Sequence, residues 1–229
     1  MTDYFDYSKI KNHKLYDFSV PIAKFVMALK YKLRYEGKEN LPKTGAYIIS
    51  ANHLTSFDPV LLAMNSGRAV HFMSKYENFE NPFSRFFLTH FNSFPVKRGS
   101  SDKSSIEYAI NLIKHGEVIG IFPEGTRNKE GGEPQKAKSG VALIAKTTSA
   151  DVIPCSIHIG KKKRFGRRCC TVRYGKLIKF EELGFTDGTR STSEIRNASR
   201  MILMKQLDSG GWDFERSNSC KISGFLFWC

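Results

Sequence analysis

Two stretches set the fold. The first is Ala46-Tyr47-Ile48-Ile49-Ser50-Ala51, which runs into Asn52-His53-Leu54-Thr55-Ser56-Phe57-Asp58. The second is Val118-Ile119-Gly120-Ile121-Phe122, which runs into Pro123-Glu124-Gly125-Thr126-Arg127. Each begins as a short apolar run and ends abruptly in a polar cluster. A run of that length bounded by turn residues reads as a buried strand. A short helix from Pro59 to Met64 follows the first cluster. The Gly-rich loop Asn128 to Pro134 and a helix over Val141 to Thr147 follow the second.

The flanking chain repeats the pattern. Ala69 to Met73 is a strand candidate, Pro82 to Phe91 a phenylalanine-rich helix, and Phe94-Pro95-Val96 a short strand that delivers Lys97-Arg98-Gly99 onto a loop. Ser101 or Asp102 can cap the next helix, and Ser104 with Glu107 offers a second capping box. Ile106, Ala109, Ile110 and Ile113 give that helix one apolar face, and Gly116 ends it. Val152 to Ile159 and Thr171 to Phe180 read as strands joined by the basic turn Lys161 to Arg168, and Glu194 to Leu207 as a last amphipathic helix. Strands alternating with helices predict an α/β fold, a central largely parallel or mixed sheet flanked by helices. In such sheets ligands gather where strands end in loops, and His53, Arg98 and Glu124 all stand at such ends.

Three units are expected: a polar leader and amphipathic helix over 1–34, the α/β domain over 35–208, and an irregular tail over 209–229. In the first, Ser19 and Pro21 suit a helix start. Ile22, Phe25, Val26, Leu29 and Leu33 then form one stripe, with Lys24, Lys30, Lys32 and Arg34 outside or beside it. Alone, this pattern favours a helix packed on the core with solvated lysines. The alternative is a helix lying in a lipid headgroup region. The tail's apolar end, Ile222 to Cys229, is open to three readings: packed, membrane-touching or poorly ordered.

Lys and Arg outnumber Asp and Glu by 36 to 22 in 229 residues, a formal net charge of +14. Such a surface favours nucleic acid, anionic lipid headgroups or an acidic protein. Zinc-finger and RNA-recognition signatures are missing. Cys155, Cys169, Cys170, Cys220 and Cys229 show no Cys-x-x-Cys spacing, and Met1 to Lys14 does not resemble a secretory leader, so a reducing setting is expected. No run of about 18 apolar residues suited to crossing a bilayer occurs. His13, His71, His90, His115 and His158 lack metal spacing, and no metal site is expected.

The polar clusters carry the chemistry. A histidine is the usual general base near neutral pH, and a carboxylate on its other ring nitrogen fixes the tautomer, as in hydrolase triads. His53 and Asp58 are spaced for this if the loop folds back on a helix starting at Asp58. Taken alone, the pair is better read as a packed histidine and a helix cap, since such a spacing often arises by chance. No Gly-x-Ser-x-Gly elbow is present, which points to a substrate hydroxyl as the attacking group and describes direct acyl transfer better than a covalent intermediate. Gly125 permits a tight turn, and Arg127 can grip a phosphate. Lys97 and Arg98 add cations beside Gly99, or are surface charge.

Asn52-His53-x4-Asp58, Phe94-Pro95-Val96-Lys97-Arg98-Gly99, Phe122-Pro123-Glu124-Gly125-Thr126-Arg127 and Val152-Ile153-Pro154-Cys155 occur in the order of the four motif blocks of glycerolipid acyltransferases. Over about residues 35 to 185 the chain resembles that family, most of all its lysophosphatidate acyltransferases. The resemblance implies His53 as the base on the acceptor hydroxyl, oriented by Asp58. It implies Lys97, Arg98, Gly99, Glu124, Gly125, Thr126, Arg127 and Lys138 as acceptor-binding residues and Pro154 as shaping a substrate pocket. The implied partners are lysophosphatidate, a thioester donor (acyl-CoA or acyl carrier protein) and an anionic membrane surface, with no cofactor and no nucleic acid. A peripheral or monotopic protein on the cytoplasmic face of the cell membrane is expected. Other acceptors in the class are glycerol 3-phosphate, other lysophospholipids and acylated amino-acid lipids. Many relatives begin with hydrophobic membrane segments, and this chain offers only Ser19 to Arg34. A bilayer substrate shifts that helix toward the interfacial role, and the Lys161 to Arg168 turn would help on an anionic leaflet, dock an acidic carrier, or equally be a plain solvated hairpin turn.

Overall fold

A computed structural model describes residues 5–7, 10, 14–97, 102–128, 138–161, 166–186 and 192–210. Its centre is the strand that leads into His53, β2 (Tyr47–Ala51), all of whose residues are buried. The other strands are β1 (Tyr31–Glu36), β3 (Val70–Lys75), β4 (Ser93–Val96), β5 (Val118–Ile121), β6 (Asp151–Ile159) and β7 (Arg168–Tyr174). They form one seven-stranded sheet in the order β1-β7-β6-β2-β5-β3-β4. From β6 to β4 neighbours are parallel. β7 runs antiparallel to β6, and β1 is parallel to β7. The sheet is therefore mixed and its long parallel part carries the clusters.

The helices are α1 (Lys14–Lys30), α2 (Asp58–Ala63), α3 (Pro82–His90), α4 (Lys103–Lys114), α5 (Gly140–Thr148) and α6 (Thr192–Gly210). One buried cluster joins the sheet to Met27 of α1 and Leu61 and Leu62 of α2. The other joins it to Leu112 of α4, Ile144 of α5 and Ile202 of α6. Asp102 caps α4 by accepting the Ser105 N–H at 3.2 Å. Ser101 lies outside the described residues.

Several boundaries differ from expectation. α1 starts at Lys14, so Pro21 sits inside the helix, where its missing N–H leaves one carbonyl without its usual donor. The Ser19 hydroxyl, expected near the cap, donates to the Tyr16 carbonyl at 2.7 Å. α1 ends at Lys30, and Leu33 and Arg34 belong to β1. Helical spacing through Leu33 concealed a strand whose outward residues Lys32 and Arg34 are exposed. β7 stops at Tyr174 rather than Phe180: beyond it the Gly175 N–H still donates to the Pro154 carbonyl at 2.7 Å, but the ladder is interrupted and Ile178 makes only an isolated bridge to Val152. α6 runs to Gly210, and residues 211–229, with the apolar end of the tail, lie outside the described residues.

The stripe on α1 faces outward. Phe18 is 72% exposed, Phe25 67% and Leu29 62%, while Tyr16 and Met27 supply the buried side. The core-packing reading of Ile22, Phe25, Val26 and Leu29 is therefore overturned. No helix among the described residues is long and apolar enough to cross a membrane.

Candidate active site

β2 and β5 are neighbours in register, Ser50 beside Ile121. Their polar extensions therefore leave the same end of the sheet side by side, although they are far apart in sequence. β2 continues to β3 on one side, and β5 continues to β6 on the other. A crevice at such a change of direction is where open α/β sheets bind ligands.

The first loop folds around Asp58, which is fully buried at the start of α2. Its Oδ2 accepts the Leu54 N–H at 2.6 Å, the Thr55 N–H at 2.8 Å and a hydrogen bond from His53 Nδ1 at 2.8 Å. Its Oδ1 accepts the Thr55 hydroxyl at 2.7 Å. Two of these donors are backbone, so the carboxylate shapes the loop that carries the histidine. A carboxylate at Nδ1 calls for the proton on that nitrogen, which leaves Nε2 as the acceptor.

His53 is held from other sides too. Phe122 stacks on its ring with centroids 4.2 Å apart and planes 19° apart. Phe72 lies in turn beside Phe122 at 6.1 Å. Gly120 makes this possible, since a Cβ there would stand 2.2 Å from the Phe72 ring. Asn52 pairs with β6 through its side chain: its amide donates to the Ile157 carbonyl at 2.9 Å, and its oxygen accepts the Ile157 N–H at 2.7 Å. Phe122, Thr55 and Asn52 lie within or beside the motif blocks, but spacing alone attached no role to them.

The second loop is stitched to the first. Glu124 is 4% exposed, and its Oε1 accepts the His53 backbone N–H at 3.2 Å. The Asn128 N–H donates to the His53 carbonyl at 2.7 Å, and Arg127 donates to the Ser56 hydroxyl at 2.6 Å. Gly125 has φ +69°, and Lys138 passes directly over it. A Cβ on Gly125 would meet Lys138 Nζ at 2.7 Å. The Lys138 N–H also donates to the Pro123 carbonyl at 2.9 Å. Exposed Thr126, Arg127 and Lys138 thus share one loop surface beside the dyad.

Lys97 follows β4. Its N–H donates to Asp102 at 2.8 Å and its ammonium lies 4.7 Å from the Tyr76 ring centre. Arg98 and Gly99 lie outside the described residues. Pro154 pairs with Ser50 but lines a separate cleft of about 420 Å³ with Gly175, Asp208 and Ser209, whose lining includes no residue of the two loops. Two thiols lie in the sheet beneath the site, Cys155 on β6, opposite Ala51, and Cys170 on β7. Burial pushes Cys155 well above the ordinary thiol range and Cys170 up to about 12. A thiol held protonated is a poor nucleophile.

A buried carboxylate orienting a histidine, beside a cationic loop at the end of a parallel sheet, is an arrangement suited to acid–base chemistry on a bound substrate. The sequence model of the family described as Acyltransferase matches residues 32–158, more than half of the chain. The chain belongs to the acyltransferase family, and it is an enzyme of that kind. Among its relatives, the 1-acyl-sn-glycerol-3-phosphate acyltransferase of Bacillus subtilis is 33% identical over 143 residues, 62% of this chain and 70% of that protein. The enzyme of the same name from Borreliella burgdorferi is 31% identical over 129 residues, 56% of this chain and 51% of that one. The fold matches the crystal structure of the 1-acyl-sn-glycerophosphate acyltransferase of Thermotoga maritima, with a TM-score of 0.65 at 23% identity over 86% of this chain and 80% of that one.

Proposed function

We propose that the protein transfers a fatty acyl group from a thioester, acyl-CoA or acyl carrier protein, to the free hydroxyl of 1-acylglycerol 3-phosphate, giving phosphatidate for phospholipid synthesis. The observation that carries this is the 2.8 Å contact between His53 Nδ1 and buried Asp58. It leaves Nε2 to take the acceptor's proton. The acceptor oxygen attacks the thioester carbonyl carbon, the C–O bond forms, and the C–S bond breaks as the tetrahedral intermediate collapses. The proton on His53 passes to the departing thiolate, and Asp58 stabilises the imidazolium in between. The thioester supplies the activation, so the reaction as written draws on no cofactor and no metal.

Arg127 and Lys138, with Lys97 and Arg98 from the β4 loop, would hold the acceptor phosphate, and Gly125 and Thr126 would line its path. Glu124 would act chiefly as the brace of His53. Pro154, on β6, would act on a donor or acceptor only through its pairing with Ser50 of β2.

The acceptor and product are lipids, and the outward apolar face of α1 supports a peripheral or monotopic seat on an anionic bilayer, at the cytoplasmic face. Lys30, at the end of α1, lies 3.6 Å from the ring centre of Phe57, the residue before Asp58. Arg167 of the basic turn donates to the Ala28 carbonyl. α1, Arg167 and the loop that carries His53 are therefore contiguous. The sequence relatives named for this reaction support lysophosphatidate over the other acceptors and over nucleic acid.

The test offers labelled acyl-CoA and acyl carrier protein to detergent-dispersed lysophosphatidate, glycerol 3-phosphate and lysophosphatidylcholine. Transfer to lysophosphatidate that His53→Ala abolishes is expected. No transfer to it from either donor, or full activity in His53→Ala, would sink the proposal.

A further inference from the structure

Helix α3 is turned inside out. Phe83, Phe86, Phe87 and His90 recur at the spacing of one helical face, and the three rings look outward: Phe83 is 73% exposed, Phe86 54% and Phe87 44%. Ser84, Arg85, Leu88 and Thr89, on the remaining surface, are half-buried, and the helix has no fully buried residue. A helix packed on a core buries its apolar stripe instead.

The presentation is held in place. Asn81 Oδ1 accepts the N–H groups of Phe83 at 2.9 Å and Ser84 at 3.2 Å. The Ser84 hydroxyl donates to the Asn78 carbonyl. The rings then pack on one another, Phe83 against Phe87 at 4.7 Å and Phe86 against Phe87 at 5.8 Å. From Asn81 to Lys97 the chain contains no Asp or Glu, but it contains Arg85, His90 and Lys97. Exposed aromatic rings on a segment that carries arginine and lysine but no carboxylate match the boundary between acyl chains and anionic headgroups.

The position fits the same partner. The crossovers from β2 to β3 and from β3 to β4 step across the sheet in one direction. Right-handed crossovers carry α2 and α3 to the same side, and α1 packs against α2 on that side. α1 lies toward the β1 edge and α3 at the β4 edge, so two apolar outcrops flank the sheet. We infer that the α3 aromatic face is a second membrane contact, setting Phe83, Phe86 and Phe87 into an anionic bilayer that α1 touches from the other edge. Two contacts at opposite edges fix the tilt of the protein and hold the catalytic loops at one height above the lipid. The exposed aromatic area is roughly 350 Å², taking about 200 Å² for each whole ring. That is less than half of the ~800 Å² per partner of a stable protein interface, which argues against a second copy as the occupant.

A membrane contact serves this enzyme because its acceptor is a lipid, and in that respect the inference rests on the function proposed above. The test is independent of it, since vesicle binding is measured with neither donor nor acceptor. The full chain and the triple variant Phe83→Ser/Phe86→Ser/Phe87→Ser are co-sedimented with phosphatidylglycerol–phosphatidylcholine vesicles, and melting temperatures are compared. Partition should fall at least about tenfold in the triple variant with the melting temperature kept, and Phe86→Leu/Phe87→Leu should stay within about threefold of the parent. Unchanged partition in the triple variant overturns the inference. So does a dimer that the triple variant converts to monomer while vesicle binding persists.

Discussion

The substitution Asp58→Asn alters one atom of a side chain that accepts four hydrogen bonds. An asparagine can keep that geometry. Its carbonyl oxygen takes the place of Oδ2 and accepts from His53, Leu54 and Thr55. Its amide takes the place of Oδ1, where the Thr55 hydroxyl can turn from donor to acceptor. What disappears is the negative charge. Each of the bonds at Oδ2 then changes from charge-assisted to neutral at a cost of roughly 1 kcal/mol. Burying a neutral amide instead of a carboxylate offsets part of that loss. The net destabilisation should stay below about 2 kcal/mol, a melting shift under about 8 °C for a chain of this size. Catalysis should suffer far more, because the imidazolium that forms during transfer loses its counter-charge. The corresponding change in hydrolase triads lowers kcat by about 10⁴, and a loss of at least about 10³ is expected here. Asp58→Ala inverts the balance in stability: the Leu54 and Thr55 N–H groups and the His53 ring lose their acceptor in a buried site. At roughly 1–3 kcal/mol per orphaned donor, that variant should be at least about 3 kcal/mol less stable than the parent. Steady-state transfer assays and differential scanning calorimetry on both variants decide the matter. If Asp58→Asn keeps kcat within tenfold, or Asp58→Ala melts no lower than Asp58→Asn, the assignment of Asp58 is wrong.

Phe122→Leu removes the ring stacked on His53 and should lower kcat about tenfold with little change in KM, while Phe122→Tyr recovers most of it; a purely KM effect would place Phe122 in substrate binding instead. Gly125→Ala puts a Cβ 2.7 Å from Lys138 Nζ at φ +69°, so the strain should cost about 1–2 kcal/mol and KM for the phosphate-bearing acceptor should rise several-fold; an unchanged KM would remove Lys138 from the acceptor site. The hydrogen bond from Lys146, with a second from Thr186, holds the Glu194 carboxyl below its ordinary value of 4.5. A group whose folded pKa is depressed contributes stability above its unfolded pKa and loses it as pH falls through the folded value. The melting temperature should therefore decline below about pH 4.5, less steeply in Glu194→Gln, and identical acid limbs in the two proteins would show that the ion pair carries none of it.

The α/β architecture could be read because the strands that matter are buried on both faces. Ile48, Ile49, Val118 and Ile119 form continuous apolar runs, each ending in a polar cluster where the sheet ends. β1 escaped because Tyr31-Lys32-Leu33-Arg34-Tyr35-Glu36 is an edge strand with alternating lysine and arginine, and its leucine also suits the helical spacing of the residues before it. Dyad spacing was visible in His53 and Asp58, and so was the cationic loop at Arg127. Hidden were the contacts that sequence distance conceals: Phe122 on His53, Asn52 on Ile157, and Glu124 on the His53 backbone. They depend on β2 lying between β5 and β6, an arrangement that no local pattern states. Pro154 illustrates the same limit from the other side, since its motif block suggests a pocket with the dyad and the fold turns it toward a separate cleft.

The outward stripe of α1 poses the sharper question, because its periodicity is that of a core helix. Ile22, Phe25, Val26 and Leu29 define an arc but carry no sign for whether that arc faces protein or lipid. The sign comes from competition for the sheet surface. Met27 of α1 with Leu61 and Leu62 of α2 already covers Tyr47, Ile49 and Ile153, and Tyr16 and Met27 occupy the inner side of α1. No sheet surface is left for the phenylalanine side of the helix. At about 25 cal/mol per Å² of apolar surface removed from water, leaving Phe18, Phe25 and Leu29 in solvent forgoes several kcal/mol that another partner could supply. A bilayer would supply it without a matching surface and would bring the proposed lipid acceptor to the loop that Lys30 touches at Phe57. Replacing Phe25 and Leu29 by serine should therefore leave folding nearly intact and weaken vesicle binding. A clear loss of melting temperature in that variant would instead return the stripe to a protein interior.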